Sequence, residues 1–187
     1  FDVIIHTAVK GGSRLLVDGG NIFYENIQMF YNLLNNKHCF GKLINFGSGA
    51  ELGMPSDPYG LSKNIISKII DNEDSFYNIR IYGVFDENEL DTRFIKSNIK
   101  RYINKEPIEI HQDKLMDFFY MKDLIELVRH FIYKDNLPKN VDCTYDIDAC
   151  SLSDIAYIIN DLSDYKVEIK IGEGKGKKYV GDWNPIN

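Results

Sequence analysis

The sequence of 187 residues predicts an α/β fold built on a parallel sheet, on two observations. Short apolar runs occur without the alternation of a half-exposed strand, as expected of strands covered on both faces. These runs interleave with segments of helical periodicity over short connections, an order that imposes parallel pairing. A composition of 44% hydrophobic and 27% charged residues suits a packed core.

The elements follow in order. Val3-Ile4-Ile5 is the first run, within residues 2–8, and the loop Lys10-Gly11-Gly12-Ser13-Arg14 follows it. Residues 18–36 predict a helix, with Ile22, Phe23, Ile27, Phe30, Leu33 and Leu34 on one broad face. Residues 42–46 predict a second strand, ending at Gly47-Ser48-Gly49. Pro58 opens the next helix at its first position, where a missing N–H costs nothing, and the helix runs through Ile65, Ile66 and Ile69. Residues 75–84 predict a third strand. A helix over 89–104, extended pieces at 108–110 and 117–120, and a helix over 121–133 come next. A strand over 143–147 precedes a helix from Leu152, with Ser151 as N-cap and Asp154 three residues on. Residues 167–171 predict a last strand and 172–178 a loop. The second half reads as a smaller α/β lobe.

Lys and Arg number 22 and Asp and Glu 28, a net charge of −6, and the pI is about 5.2. Nucleic-acid and anionic-membrane partners call for a basic surface, so neither is expected. No apolar run approaches the ~18 residues of a membrane span, and no basic-then-apolar leader stands at the start. Cys39, Cys143 and Cys150 have no metal-ligand spacing. They predict free thiols in a cytoplasmic protein with no metal site.

Tyr59 and Lys63 stand four residues apart on the predicted helix and therefore share a face. That helix follows a strand ending in Ser48, and open parallel sheets bind ligands beyond the carboxyl ends of their strands. A phenol is a poor base at neutral pH, with a pKa near ~10, and a neighbouring ammonium lowers it. Such a tyrosine can trade a proton with a substrate oxygen that a serine hydroxyl holds in line, while a nicotinamide gives or takes hydride. On spacing and placement alone the alternative stays open: Tyr59 packing, Lys63 solvated, Ser48 a turn residue.

Several further stretches make the pattern specific. They are Asp2-Val3-Ile4-Ile5-His6-Thr7-Ala8, Lys10-Gly11-Gly12, Asn26 with Asn32-Leu33-Leu34, Gly47-Ser48-Gly49-Ala50-Glu51-Leu52-Gly53 and Pro58-Tyr59-Gly60-Leu61-Ser62-Lys63. Arg80-Ile81-Tyr82-Gly83-Val84, Met116-Asp117-Phe118-Phe119-Tyr120-Met121-Lys122-Asp123 and Gly174…Lys177-Lys178…Asp182 complete the set. With them the whole chain resembles an extended short-chain dehydrogenase/reductase of the NAD-dependent epimerase/dehydratase family, most similar to its GDP-L-fucose synthase branch. The resemblance implies a Rossmann-type sheet over residues 1–85 and a mainly substrate-binding lobe over 86–187, with some segments returning to the sheet domain. It implies that Ser48, Tyr59 and Lys63 are catalytic, and that Thr7, Ala8, Tyr59, Lys63 and Tyr82 border NAD or NADP. Lys10, Arg80 and Arg93 would meet a nucleotide-sugar substrate, and Arg14, like Lys10, would line the cofactor or the sugar pocket. The family's first strands and its glycine-rich phosphate loop would precede Asp2; no Gly-x-x-Gly-x-x-Gly stands in these residues.

The departures narrow the expectation. Ala50 and Arg93 stand where fucose synthases carry the Cys and His that epimerise C3 and C5, and Gly49-Ala50 stands where dehydratases carry Asp-Glu. What remains is hydride chemistry at one carbon, the reduction or epimerisation of a 4-keto (deoxy)hexose nucleotide. The alternative is a non-catalytic homologue that binds the nucleotide sugar or NAD. Arg80 replaces the usual Asn and suits either a bidentate diphosphate contact or a salt bridge, and Met116 replaces the usual Arg. The family commonly dimerises through the helices of 18–36 and Tyr59, so Phe23, Tyr24, Phe30 and Tyr31 suit either a homodimer interface or the core. His6 reads as a core histidine beside the cofactor, and the lysines of 175–178 as a diphosphate contact or a solvated loop.

Overall fold

The computed structural model describes residues 1–12, 18–53 and 55–183. Arg14 lies outside them. In chain order the elements are β1 (Val3–His6), α1 (Asn21–Asn35), β2 (Lys42–Ser48), α2 (Pro58–Ile70), β3 (Phe76–Ile81), β4 (Val84–Phe85), α3 (Phe94–Ile103), β5 (Ile108–Ile110), β6 (Phe119–Tyr120), α4 (Met121–Tyr133), β7 (Asn140–Asp142), α5 (Leu152–Asn160) and β8 (Ile169–Ile171). One-turn 3-10 helices sit at Lys37–Cys39 and Gly49–Glu51. The chain divides into two compact units. The first holds Phe1–Ile81, Asp123–Cys143 and Trp183–Asn187, and the second Tyr82–Lys122 and Thr144–Asp182.

The first unit is a parallel sheet in the order β1-β2-β3-β7. Side chains alternate between its faces. On one face Leu43 and Phe76 pack with Phe30 of α1 and Ile66 and Ile70 of α2. On the other, Tyr77 meets the Phe131 ring of α4 edge-on, 5.5 Å between centroids. Helices thus cover both faces, the reason the strands read as continuous apolar runs.

One level of the sheet breaks the apolar rule. His6, Asn45, Asn78 and Asn140 are register neighbours on successive strands, and the first three are buried. Asn45 gives its amide proton to Asn78 Oδ1 at 2.6 Å, so its own Oδ1 accepts from His6 Nδ1 at 2.9 Å. Asn78 donates to Asn140 Oδ1 at 3.1 Å, which also accepts from Ser67 of α2. The row is a connected chain, as buried amides require.

The second unit pairs β4 with β6 and β5 with β8, both in parallel. Its core gathers Tyr102, Ile108, Ile110, Met116, Leu152, Ala156 and Ile159, with α3 and α5 among the contributors.

Several boundaries depart from the sequence reading. α1 starts at Asn21 and not 18, because the Asp18 carboxylate is turned to the Gly12 N–H at 3.0 Å. The strand expected over 75–84 is two strands. After Ile81 the chain leaves the sheet, and Val84–Phe85 pairs with β6 instead. α3 begins at Phe94 and not 89, since the Glu89 carboxylate accepts the Lys96 N–H ahead of the helix. The strand expected over 143–147 lies earlier, at Asn140–Asp142, where Asn140 can join the polar row. The capping signals hold: Asp57 Oδ1 caps Gly60 N at 2.7 Å with Pro58 at N1, and Ser151 and Asp154 form a reciprocal capping box.

Asn78→Ala would leave Asn45 and Glu51 short of a buried partner. Each orphaned buried group costs ~1–3 kcal/mol, so a loss of about 3 kcal/mol is expected in urea unfolding of the full-length protein.

Candidate active site

Ser48 ends β2, buried to 7% exposure, and its Oγ caps the following turn by accepting from Ala50 N at 3.2 Å. That turn packs onto the start of α2. Asn64 donates to the Glu51 carbonyl at 2.7 Å, and a Cβ at Gly60 would stand 2.7 Å from the Ala50 carbonyl oxygen. Glycine is therefore required there for the serine turn and the tyrosine helix to touch.

Lys63 is almost wholly buried, 4% exposed, and gives a proton to the Phe46 carbonyl at 2.6 Å, two residues before Ser48. Its ammonium lies 6.0 Å from the centre of the Tyr59 ring. The carboxyl end of β2 thus carries Ser48 and anchors Lys63, whose ammonium faces the Tyr59 ring. Burial pushes the Lys63 pKa down to about 8, opposed by the negative charge of Glu51. An ammonium carries three protons and, among the described contacts, one is used, so the donor set fits a ligand hydroxyl beside Tyr59.

The glycine loop covers the tyrosine. Gly12 has φ +72°, a left-handed conformation that favours glycine, and a Cβ on it would stand 2.8 Å from the Tyr59 ring. Asn26 of α1, 2% exposed, fixes this loop through the N–H and C=O of Lys10 at 2.8 and 3.0 Å. The same amide donates to Ser62 Oγ, which donates to the Tyr59 carbonyl at 2.7 Å. Asn26 therefore couples loop to helix directly beside Tyr59.

Beneath Ser48 lies a buried charge cluster. The Glu51 carboxylate accepts from Ser48 N (3.2 Å), Asn78 Nδ2 (2.7 Å) and Arg80 Nε (2.6 Å), and Arg80 NH1 reaches Asp142 at 2.9 Å. Burial raises the Glu51 pKa, opposed chiefly by the Arg80 hydrogen bond and the Ser48 N–H. Gly47 makes room, since a Cβ there would collide with both Asn78 and Glu51.

The other expected residues are each placed as follows. Arg80, one of the expected substrate contacts, has its guanidinium committed to two carboxylates; of its two alternatives, the structure contains the salt bridge. Thr7 and Ala8 are exposed just past β1. Lys10 pairs with Glu25 at 2.6 Å on the surface. Tyr82 is buried in the second unit, its ring 5.2 Å from that of Tyr179, and Arg93 is an exposed N-cap of α3 there. Phe30 is core at 1% exposure, whereas Tyr24 and Tyr31 are exposed. His6 is core as read, and burial lowers its pKa despite the Asn45 hydrogen bond. The lysines 175, 177 and 178 are exposed. The three cysteines are free, and burial pushes the Cys143 thiol up to about 12. Among the described residues no cluster suits a metal ion and no helix is long and apolar enough to cross a membrane. Sequence reading gave Glu51, Asn45 and Asn78 no role. Their signal was a polar residue inside, or one turn beyond, an otherwise apolar buried strand.

The fold is shared with several solved structures. UDP-glucuronic acid 4-epimerase from Bacillus cereus, in complex with UDP-glucuronic acid and NAD, superposes with a TM-score of 0.77 at 18% identity, covering 97% of this chain and 66% of that one. UDP-N-acetylglucosamine 4-epimerase from Methanobrevibacter ruminantium M1, in complex with UDP-N-acetylmuramic acid, gives 0.78 at 20%, covering 97% and 68%. DesIV, a dTDP-glucose 4,6-dehydratase from Streptomyces venezuelae, gives 0.75 at 13%, covering 97% and 64%. The chain thus spans about two thirds of the length of these structures. No curated protein matches at the sequence level. The family model described as the NAD dependent epimerase/dehydratase family matches residues 1–143, and the chain belongs to that family.

Proposed function

We propose that the protein reduces or epimerises a 4-keto (deoxy)hexose nucleotide by hydride transfer, with Tyr59, Lys63 and Ser48 as its reacting-end residues. The observation that carries this reading is the buried Lys63 ammonium set against the Tyr59 ring on the strand end that also bears Ser48. The ammonium stabilises the phenolate and lowers the Tyr59 pKa. Tyr59 then exchanges a proton with the sugar oxygen, and Ser48 Oγ holds that oxygen by a hydrogen bond. The spare protons of Lys63 would hold ribose hydroxyls, and Thr7 and Ala8 would border the ring. Bound there, a nicotinamide supplies or accepts the hydride.

Dehydration is disfavoured, because Glu51, the carboxylate nearest in sequence to Ser48, is locked onto Arg80, Asn78 and a backbone N–H. Those of the similar structures that were solved with NAD support NAD over NADP. Two of the similar structures are UDP-sugar 4-epimerases, which supports the 4-epimerase side of the family as much as the fucose synthase branch. Exposed Tyr24, Tyr31 and Leu61 on α1 and α2 suit a homodimer.

Full-length protein should interconvert or reduce at least one member of a UDP-, GDP- and dTDP-sugar panel with NAD(H); net consumption of NADH marks a reductase and its absence an epimerase. Tyr59→Phe should cut kcat by about 10²–10⁴ with an unchanged circular dichroism spectrum, and wild-type turnover would remove the role given to Tyr59. Since Lys63 must be charged and its pKa is pushed down to about 8, kcat/KM should fall as pH rises through that value. Gly12→Ala should displace the Tyr59 ring and lower kcat/KM at least ~10-fold, as misplaced reacting groups do.

A further inference from the structure

We propose that Glu51 is a positioning residue of this site: its carboxylate, locked by Arg80 and Asn78, fixes the turn that presents Ser48 and supplies the negative charge that balances the Lys63 ammonium. The inference rests on the reading of Tyr59, Lys63 and Ser48 given above.

The geometry stands first. Glu51 holds the backbone N–H of Ser48, so the carboxylate reaches the serine's own main chain, while Ser48 Oγ closes the reciprocal bond on the turn. The carboxylate is anchored from two residues of β3, Asn78 and Arg80, and fills the volume that Gly47 leaves. Arg80 is tied in turn to Asp142 of β7. Three strands therefore hold one carboxylate under the serine.

The charges stand second. The side chains of Glu51, Arg80 and Asp142 are 2%, 19% and 5% exposed, and Lys63 is 4% exposed. Two carboxylates, one guanidinium and one ammonium sum to zero. A buried charge persists only where it is paired, and Glu51 favours the charged form of Lys63. The other groups that face the ammonium are Tyr59 on its own helix and His6 on β1, whose imidazole the ammonium helps to keep neutral. Glu25 of α1 is engaged with Lys10 at the surface. Glu51 is thus the anion that opposes desolvation of the lysine.

A purely structural Glu51 predicts the opposite sign on removal. Loosening the turn would admit water, and the Lys63 titration midpoint would rise toward that of a solvated lysine. Loss of a balancing anion from an intact site lowers it instead. The test is ¹³C-lysine NMR of the full-length protein across pH 6–11, an order-of-magnitude window around the lysine range, with the Lys63 signal assigned by its loss in Lys63→Arg. In Glu51→Gln the Lys63 midpoint should fall by about one pH unit or more, as removal of a close opposite charge does, and Glu51→Asp, which keeps the charge, should return it most of the way. A midpoint that stays or rises in Glu51→Gln overturns the proposal. If Glu51→Gln does not fold, Asp142→Asn replaces it. That variant leaves Arg80 less compensated and should lower the midpoint by a smaller amount, and no change or a rise again overturns the proposal. The titration needs no turnover, so its failure is distinct from failure of the catalytic reading, which Tyr59→Phe kinetics decide.

Discussion

Burial of the Glu51–Arg80 ion pair between the sheet and α2 is the constraint on which the first unit depends. An ion pair inside a protein stabilises little by itself, but breaking it strands a charge that water cannot reach. Every neighbour is arranged to prevent that. Gly47 leaves room for the carboxylate, Asn78 donates to it, and Asp142 takes the second guanidinium nitrogen. The requirement propagates sideways, because Asn78 is also a member of the polar row from His6 to Asn140. The register of four strands is fixed by this row as well as by the apolar layers. A slip of one residue would expose every amide of the row to an apolar neighbour.

The same economy of partners places Ser48, Tyr59 and Lys63. Lys63 is fastened to β2 through the Phe46 carbonyl, Ser48 closes β2, and α2 approaches so closely that its third residue must be glycine. Asn26 carries the arrangement to a further element by clamping both sides of Lys10 and reaching Ser62. Tyr59 is thereby bounded by the Gly12 loop and the Lys63 ammonium. Its position follows from backbone anchors on rigid elements, as the proton-transfer role proposed for it would require.

The second unit is built on weaker signals. Its strands are two or three residues long, and its core depends on α3 and α5 packing with β5. Short strands carry few alternations, so the bounds of β6 and β8 drifted in the sequence reading although those of β5 matched, whereas the capping box of Ser151 and Asp154 located the start of α5 to the residue. Capping is a local hydrogen-bond pattern. Strand ends are set by whichever neighbour supplies the ladder, and that neighbour is distant in sequence, as when Val84 pairs with Phe119 rather than extending β3.

By itself the sequence determined the α/β class, the long helices and the spacing of Ser48, Tyr59 and Lys63, because apolar periodicity, caps and an i, i+4 pair are local properties of the chain. Only the tertiary structure decided what surrounds them. Arg80 read equally as a ligand for diphosphate or as half of a salt bridge. The choice depended on Glu51, 29 residues away, and Asp142, 62 residues away, both brought to it by the parallel register. The role of Glu51 was invisible for the same reason. Its meaning lies in strands that meet it only when the sheet forms, since a buried charge is interpretable only once its partner is known.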